Sequence, residues 1–353
     1  MSESYSRVFD RNIQTFFRDA LRISLRDPRM ASFLARTLVR QRWAARQRTA
    51  WEARGVHVPA FMITSITRRC NLACKGCYAR AQHRELEPEM SAERLRSVVD
   101  EASALGVSIM LIAGGEPLVR PEILDIAADH PEIIFPLFTN GLLLDDATIT
   151  RLREHRNIVP VLSIEGHQSD TDLRRGEGVH AHVLTTMERL HRAGVFFGAS
   201  LTVTRRNHDL VTGRPFVEEM LAQGCRLMFF VDYVPVQPGT ECLELTQAQR
   251  DEEARRLAAH REALPGLFLA FPGDEDQYGG CLAAGRGFVH VSPSGSLEPC
   301  PFAPYSDASL HEMSLREALA SPLLKTIRES DEHLGETGGG CALWERRDWV
   351  QSL

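Results

Sequence analysis

Cys70, Cys74 and Cys77 stand in a C-x-x-x-C-x-x-C run inside Thr67-Arg68-Arg69-Cys70-Asn71-Leu72-Ala73-Cys74-Lys75-Gly76-Cys77-Tyr78. Three thiolates this close in sequence can converge on one metal centre without help from the rest of the fold. The count is odd, which leaves one coordination position for something else. Four soft ligands at even spacing suggest a closed structural zinc site. Three suggest an iron–sulfur cluster with one iron open to a small molecule. Taken alone, the triplet also reads as a loop zinc site or a set of buried thiols.

The run resembles the signature of the radical S-adenosylmethionine (radical SAM) superfamily. The resemblance implies that Cys70, Cys74 and Cys77 hold a 4Fe–4S cluster and that the amino and carboxylate groups of SAM occupy its fourth iron. It further implies reductive cleavage of SAM to a 5′-deoxyadenosyl radical, which abstracts hydrogen from a substrate. In that family the residue before the third cysteine is usually aromatic. Here it is Gly76, and Tyr78 follows the cysteine as the residue expected to cover the cluster or the adenine.

Further elements of the resemblance lie downstream. Gly114-Gly115-Glu116-Pro117 is similar to the family's GGEP element, so Gly114, Gly115 and Glu116 are expected to fix the methionyl amine of SAM. Glycines allow the backbone to approach a ligand closely, although the same residues also make an ordinary turn. Ser163-Ile164-Glu165-Gly166 resembles the S-[LI]-[DE]-G element, placing Ser163 and Glu165 near SAM. Arg174-Arg175-Gly176 resembles the arginine segment near the SAM carboxylate, with Arg174 preferred and Arg175 as the alternative. A guanidinium fork suits a carboxylate because it can bind it in two places. Asn140, in Thr139-Asn140-Gly141, is expected at the same site, with Thr202 and Asn207 as weaker candidates.

A second cysteine pattern follows. Cys281, thirteen residues, Gly295, four residues and Cys300 resemble the start of the SPASM/twitch extension of radical SAM enzymes, and Cys341 ends the run Gly338-Gly339-Gly340-Cys341. A full SPASM module supplies seven cysteines for two auxiliary clusters. The resemblance here implies one auxiliary iron–sulfur cluster with Cys281, Cys300 and Cys341 as ligands. Its fourth ligand is left open among substrate, water and a residue such as His290 or Asp274. Loop thiols or a zinc clip are the plainer alternative. Cys225 reads as a buried thiol, and Cys242 as a connector residue able to complete the auxiliary site.

The elements that must position these residues are legible as a period. Residues 8–53 read as two helices broken at Asp27-Pro28. Apolar strands then alternate with amphipathic helices: Phe61–Ile66, Val107–Ala113, Ile133–Phe138, Ile158–Ile164, Phe196–Val203 and Leu227–Val231. Alternation of this kind means a parallel sheet covered by helices. The expected fold is α/β, a partial (β/α)6 TIM-like barrel, with an N-terminal helical segment (1–56), the barrel (57–232), and a connector plus small C-terminal iron–sulfur module (233–353). In such barrels chemistry sits at the C-terminal ends of strands, where the unusual residues fall. Phe288–Val291 and Leu297–Glu298 are expected to form a hairpin around Ser292-Pro293-Ser294-Gly295.

Composition bounds the rest. A chain of 353 residues supports one large or two modest domains. It has no apolar run long enough to span a bilayer and no signal-peptide core, so its eight cysteines read as metal ligands of a cytoplasmic protein. The net charge is −6, but residues 1–56 carry twelve Arg against five acids, or +7, which leaves −13 for the remainder. The acidic body argues against a nucleic-acid partner. The basic N-terminus suits either docking on that body or an anionic membrane surface. The expected partners are SAM, a peptide or small-molecule substrate, and an electron donor such as flavodoxin or ferredoxin. The expected activity lies in peptide or protein maturation, or in cofactor or metabolite biosynthesis. A non-catalytic zinc- or cluster-binding regulator is the alternative; it would not need SAM-binding elements at consecutive strand ends.

Overall fold

The computed structural model describes residues 5–25, 27–82, 88–335 and 340–353. Gly338 and Gly339 of the glycine run before Cys341 lie outside them. Strands β1 (Phe61–Ser65), β2 (Ile109–Ala113), β3 (Phe135–Thr139), β4 (Ile158–Ile164), β5 (Gly198–Val203) and β6 (Leu227–Asp232) lie side by side in chain order and pair in parallel. The intervening helices form for local reasons. In Ala92–Leu105, Ser91 caps the start by accepting the Arg94 N–H, and Gly106 ends it with a left-handed φ of 92°. Leu95, Val98, Val99, Ala102 and Leu105 form its buried face, at the spacing read from the sequence.

The sheet does not stop at six strands. β7 (Leu267–Phe271) adds to β6 in parallel, after the charged helix Gln247–Ala263. β8 (Phe288–Val291) adds to β1 in parallel, and β9 (Leu297–Glu298) closes the expected hairpin in antiparallel register. The C-terminal third thus extends the same sheet at both edges. The sheet is curled: Phe61 of β1 stacks on Phe271 of β7, and Phe271 on Phe229 of β6, each with ring centroids 6.4 Å apart. Side chains alternate across it as the pleat requires. Phe61, Ile63, Leu111, Ala113, Ser200, Thr202, Phe229 and Val231 face an interior cavity. Met62, Met110, Ile112, Ala199, Leu201, Met228 and Phe230 are fully buried in the main core.

Two N-terminal helices, α1 (Tyr5–Ile23) and α2 (Pro28–Glu52), meet at Asp27, which caps α2 by accepting the N–H groups of Arg29 and Met30. Ile13, Phe17, Ala20, Met30, Phe33 and Leu34 pack against Ile134, Val159, Val161, Leu227, Phe229 and Leu267. Most of these partners lie at the starts of strands, so the helices close the end of the barrel opposite the functional residues. Arg48 of α2 is buried and bonds Asp10, the carbonyl of Gly106 and, at 2.8 Å, the hydroxyl of Ser108. Among the described residues no helix is long and apolar enough to cross a membrane.

Candidate active site

The C-terminal ends of the strands open onto one cavity of about 270 Å³. Cys70, Cys74, Cys77, Tyr78, Gly114, Gly115, Glu116, Asn140, Ser163 and Arg174 all line it, as do Cys281, Cys300 and Cys341. Glu165 lies behind this wall, 2% exposed. Two cysteine groups far apart in sequence therefore share one space.

The first cysteine loop is held by the ends of the strands beside it. The Gly115 N–H donates to Thr67 O (2.7 Å) and the Glu116 N–H to Arg69 O (2.9 Å). A Cβ on Gly114 would lie 2.5 Å from Thr67 O, and one on Gly115 would collide with Arg69 O. These glycines therefore permit close packing of two backbones, beyond any approach to a ligand. Glu116 is buried; its carboxylate accepts from Leu118 N–H (3.1 Å), Thr139 Oγ1 (2.7 Å) and Asn140 N–H (2.8 Å). Burial nonetheless pushes its pKa up. Asn140 Nδ2 donates to Asn71 Oδ1 at 2.7 Å, within the cysteine loop.

Beyond β4, Glu165 receives Arg174 Nη1 (2.6 Å) and both Arg175 Nε and Nη2 (2.6 Å each). The two guanidiniums hold its carboxyl below the usual range despite the opposing effect of burial. Arg174 also donates to Thr202 Oγ1 (2.9 Å) and Lys75 O (3.2 Å), while its carbonyl accepts the Lys75 N–H (2.9 Å). Arg175 Nη1 lies 4.0 Å from Cys74 Sγ. Two cations against one carboxylate leave a positive surplus beside the cysteines, which suits thiolates and an anionic ligand. Asn207 supports the same wall by donating to Glu165 O (2.9 Å) and Thr202 O (3.0 Å).

Tyr78 turns toward the C-terminal segment. Its ring meets Phe302 edge-on at 5.2 Å, and its hydroxyl bonds Ser65. Ser65 Oγ in turn meets His290 Nε2 (2.8 Å), and His290 Nδ1 meets Glu298 (2.7 Å). A hydrogen-bonded chain thus joins the first cysteine loop to the hairpin.

The donor chemistry fits iron–sulfur clusters. None of the cysteines is in a disulfide. Burial pushes the Cys70 and Cys74 thiols up, Cys281 and Cys300 well up, and Cys341 to about 12. A bound metal takes the charge that burial makes costly for such thiols to carry alone. Backbone N–H groups already point at two sulfurs, Leu72 at Cys70 (3.4 Å) and Phe302 at Cys300 (3.3 Å). A cluster spreads its thiolates around a cube, whereas one ion draws them to a point. Among the described residues no three His, Cys, Asp or Glu are gathered to hold a single ion. Asp274 and His290 do not reach the cavity. Asp274 accepts from Arg261 (2.7 Å to each oxygen) and from the Ala270 N–H (2.8 Å), and His290 lies between Ser65 and Glu298. Cys225 is a fully buried core thiol, and Cys242 is exposed in the connector, off the cavity.

Sequence reasoning missed four residues here. Tyr233, just beyond β6, is 4% exposed, with a buried hydroxyl that has no hydrogen-bond partner among the described residues. A Cβ on Gly76 would lie 2.5 Å from that hydroxyl, so Tyr233 fills the space next to the residue that departs from the cysteine motif. Asp232 lines the cavity, and behind it stands Glu253 of the charged helix. Burial pushes Asp232 up to about 7; burial and the Asp232 charge push Glu253 up to about 9. Among the described residues no donor group contacts the Glu253 oxygens, and a proton on Glu253 relieves the repulsion between the two carboxyls. Glu275 lines the cavity beside the second cysteine group. Only the position of Tyr233 and Asp232 at a strand end could have flagged any of them.

Residues 64–209 match the family model of the radical SAM superfamily. The AdoMet-dependent heme synthase of Methanosarcina barkeri is 25% identical over 311 residues, covering 80% of this chain and 88% of that one. The PqqA peptide cyclase of Granulibacter bethesdensis is 25% identical over 268 residues, covering 69% and 68%. Streptococcus suis SuiB bound to S-adenosylmethionine shares the fold at a TM-score of 0.66 and 17% identity, over 83% of this chain and 73% of that one. The chain belongs to the radical SAM superfamily. It is an enzyme that uses a 4Fe–4S cluster and SAM, in maturation or biosynthesis.

Proposed function

We propose that Cys70, Cys74 and Cys77 hold the SAM-cleaving cluster and that Tyr78, Gly114, Gly115, Glu116, Asn140, Ser163, Glu165 and Arg174 build the SAM site around it. Cys281, Cys300 and Cys341 hold an auxiliary cluster, within a C-terminal unit spanning 233–353 that follows the barrel at 57–232 and the N-terminal segment at 1–56. The observation that carries this reading is the single cavity reached by both cysteine groups. When bound, the cluster and SAM supply a carbon radical able to abstract hydrogen; the protein supplies orientation and exclusion of water. Arg174 and Arg175 supply positive charge for a carboxylate, and Glu165, which takes the bidentate fork of Arg175, fixes where the two guanidiniums point. Aromatic and aliphatic side chains, among them Phe61, Phe138, Phe229 and Phe271, line the remaining space.

The substrate in this reading is a peptide, matured by change at a side chain that reaches between the two cysteine groups; similarity to the PqqA peptide cyclase supports it. A heme precursor is the second reading, favoured by the apolar aromatic wall and by similarity to a heme synthase over 80% of the chain. The electron donor is a flavodoxin or ferredoxin, and α1 and α2 dock on the body of the chain, with a membrane surface as the alternative. The test is anaerobic turnover with dithionite. The wild type should form 5′-deoxyadenosine, and C70A/C74A/C77A should form none. Cleavage of SAM that survives in the triple variant ends the assignment of those cysteines. Mass spectrometry of candidate peptides and porphyrins in the same assay separates the two substrate readings.

A further inference from the structure

We propose that the hydroxyl of Tyr233 is a hydrogen-bond donor to the SAM-cleaving cluster and that its acceptor is the Cys77 sulfur. This inference rests on the reading of Cys70, Cys74 and Cys77 as the ligands of that cluster. It brings in a residue from another strand end, one that sets how readily the cluster is reduced.

Tyr233 is placed by the sheet. Its N–H donates to Val203 O (2.8 Å), one residue beyond the pairing of β5 with β6. Phe229, Val231 and Tyr233 recur at a spacing of two along the chain, and all three line the cavity. The ring is thereby carried to the cysteine loop. There its hydroxyl meets the backbone of Gly76, where a Cβ would lie 2.5 Å from it. Gly76 has a left-handed φ of 66° and stands directly before Cys77. Ring and loop are fitted to one another, since any side chain at position 76 would collide with the hydroxyl.

A buried O–H without an acceptor is costly, and native structures keep few of them. Tyr233 is 4% exposed, and its hydroxyl has no partner among the described residues. The carbonyls on either side of Gly76 are already engaged: Lys75 O by Arg174 Nε (3.2 Å) and Cys77 O by the Ala81 N–H (3.1 Å). The sulfurs of the loop supply the missing acceptor. The Leu72 N–H donates to Cys70 Sγ (3.4 Å), and Arg175 Nη1 lies 4.0 Å from Cys74 Sγ. Of the three sulfurs, that of Cys77 is the one without a donor among the described residues. As a metal-bound thiolate it becomes a strong acceptor, because charge on the acceptor strengthens the bond. Tyr233 and Cys77 each lack what the other provides.

The test uses the full-length C281A/C300A/C341A protein, reconstituted anaerobically with iron and sulfide so that the SAM-cleaving cluster is the only source of signal. Tyr233→Phe removes the hydroxyl and keeps the ring. It should lower the midpoint potential of the cluster, because a hydrogen bond to a ligand sulfur stabilises the more negative, reduced state. After exchange into D2O, the reduced cluster should show a deuteron coupling by electron–nuclear double resonance that Tyr233→Phe lacks. That coupling separates a direct bond from a structural effect on the loop. Tyr233→Phe should also leave the urea midpoint of the metal-free protein unchanged or raise it, since the lost hydroxyl had no partner there. Matching couplings or matching potentials overturn the inference while the cluster assignment stands. A lower urea midpoint, or failure of Tyr233→Phe to fold, overturns it as well, by showing that the hydroxyl serves the fold. Should the triple variant itself not fold, the same comparison is made with all eight cysteines present, reading the part of the EPR signal that SAM alters. A folded background protein that binds no iron overturns the cluster reading and this inference with it.

Discussion

Glu165 shows how much one carboxylate can organise. It is 2% exposed and bound by two guanidiniums, of which Arg174 also grips the cysteine loop and β5. Glu165→Gln would leave two half-buried cations with a neutral partner, at a cost of about 3 kcal/mol, to be read as a lower urea midpoint in the metal-free protein. A midpoint equal to wild type would show that the arginines find other partners. Asp232 and Glu253 give a pH signature. Their folded pKa values, about 7 and about 9, lie above the ordinary carboxyl range, so the folded state binds more protons than the unfolded one. The stability they contribute is present near pH 4 and is lost as pH rises through about 7 and then about 9. Arg250, whose Nε lies 3.9 Å from Asp232, opposes the loss, while Glu244 and Asp274 add to it. Urea midpoints between pH 5 and 9 should fall more steeply for wild type than for Glu253→Gln; parallel slopes would refute the proton on Glu253. At this scale the sequence exposed the cysteines, glycines and Arg174, because a short motif carries them. It concealed Tyr233, Glu253 and Glu275, because each reaches the site from a distant element and sits in no local pattern.

Among the elements, α1 and α2 account for the basic N-terminus. Their apolar side chains meet the starts of the strands, and Arg48 is consumed internally by Asp10, Gly106 and Ser108. Phe17, 2% exposed, is central to that contact, and Phe17→Ala should cost about 3–5 kcal/mol. Thermal unfolding would register the loss. Salt-sensitive flotation of the wild type with anionic liposomes would instead favour the membrane alternative. The break at Asp27-Pro28 and the face of Ala92–Leu105 were readable, since a cap and a 3.6-residue period are local signals. β7 was not. Its five residues, Leu267–Phe271, follow a helix of weak amphipathicity and precede a glycine-rich stretch, so no repeat announces a seventh unit. The pairing of β8 with β1 joins strands far apart in sequence, and only the folded sheet reveals it.

For the whole molecule, this pairing decides how the two cysteine groups relate. β1 ends in the loop that bears Cys70, Cys74 and Cys77. Its neighbour β8 leads through the hairpin to Cys300, in a register running from Phe61↔Phe288 to Thr64↔Val291. The offset along that ladder cannot be tuned smoothly. A slip of one residue moves β8 by about 3.3 Å and turns every side chain on it to the opposite face. His290 would then leave Ser65, and Val289 would take its side of the sheet. The gap between the two cysteine groups is thus a discrete length, set like a notch on a ruler. Loops around the cavity can change to admit larger or smaller substrates while that length stays the same.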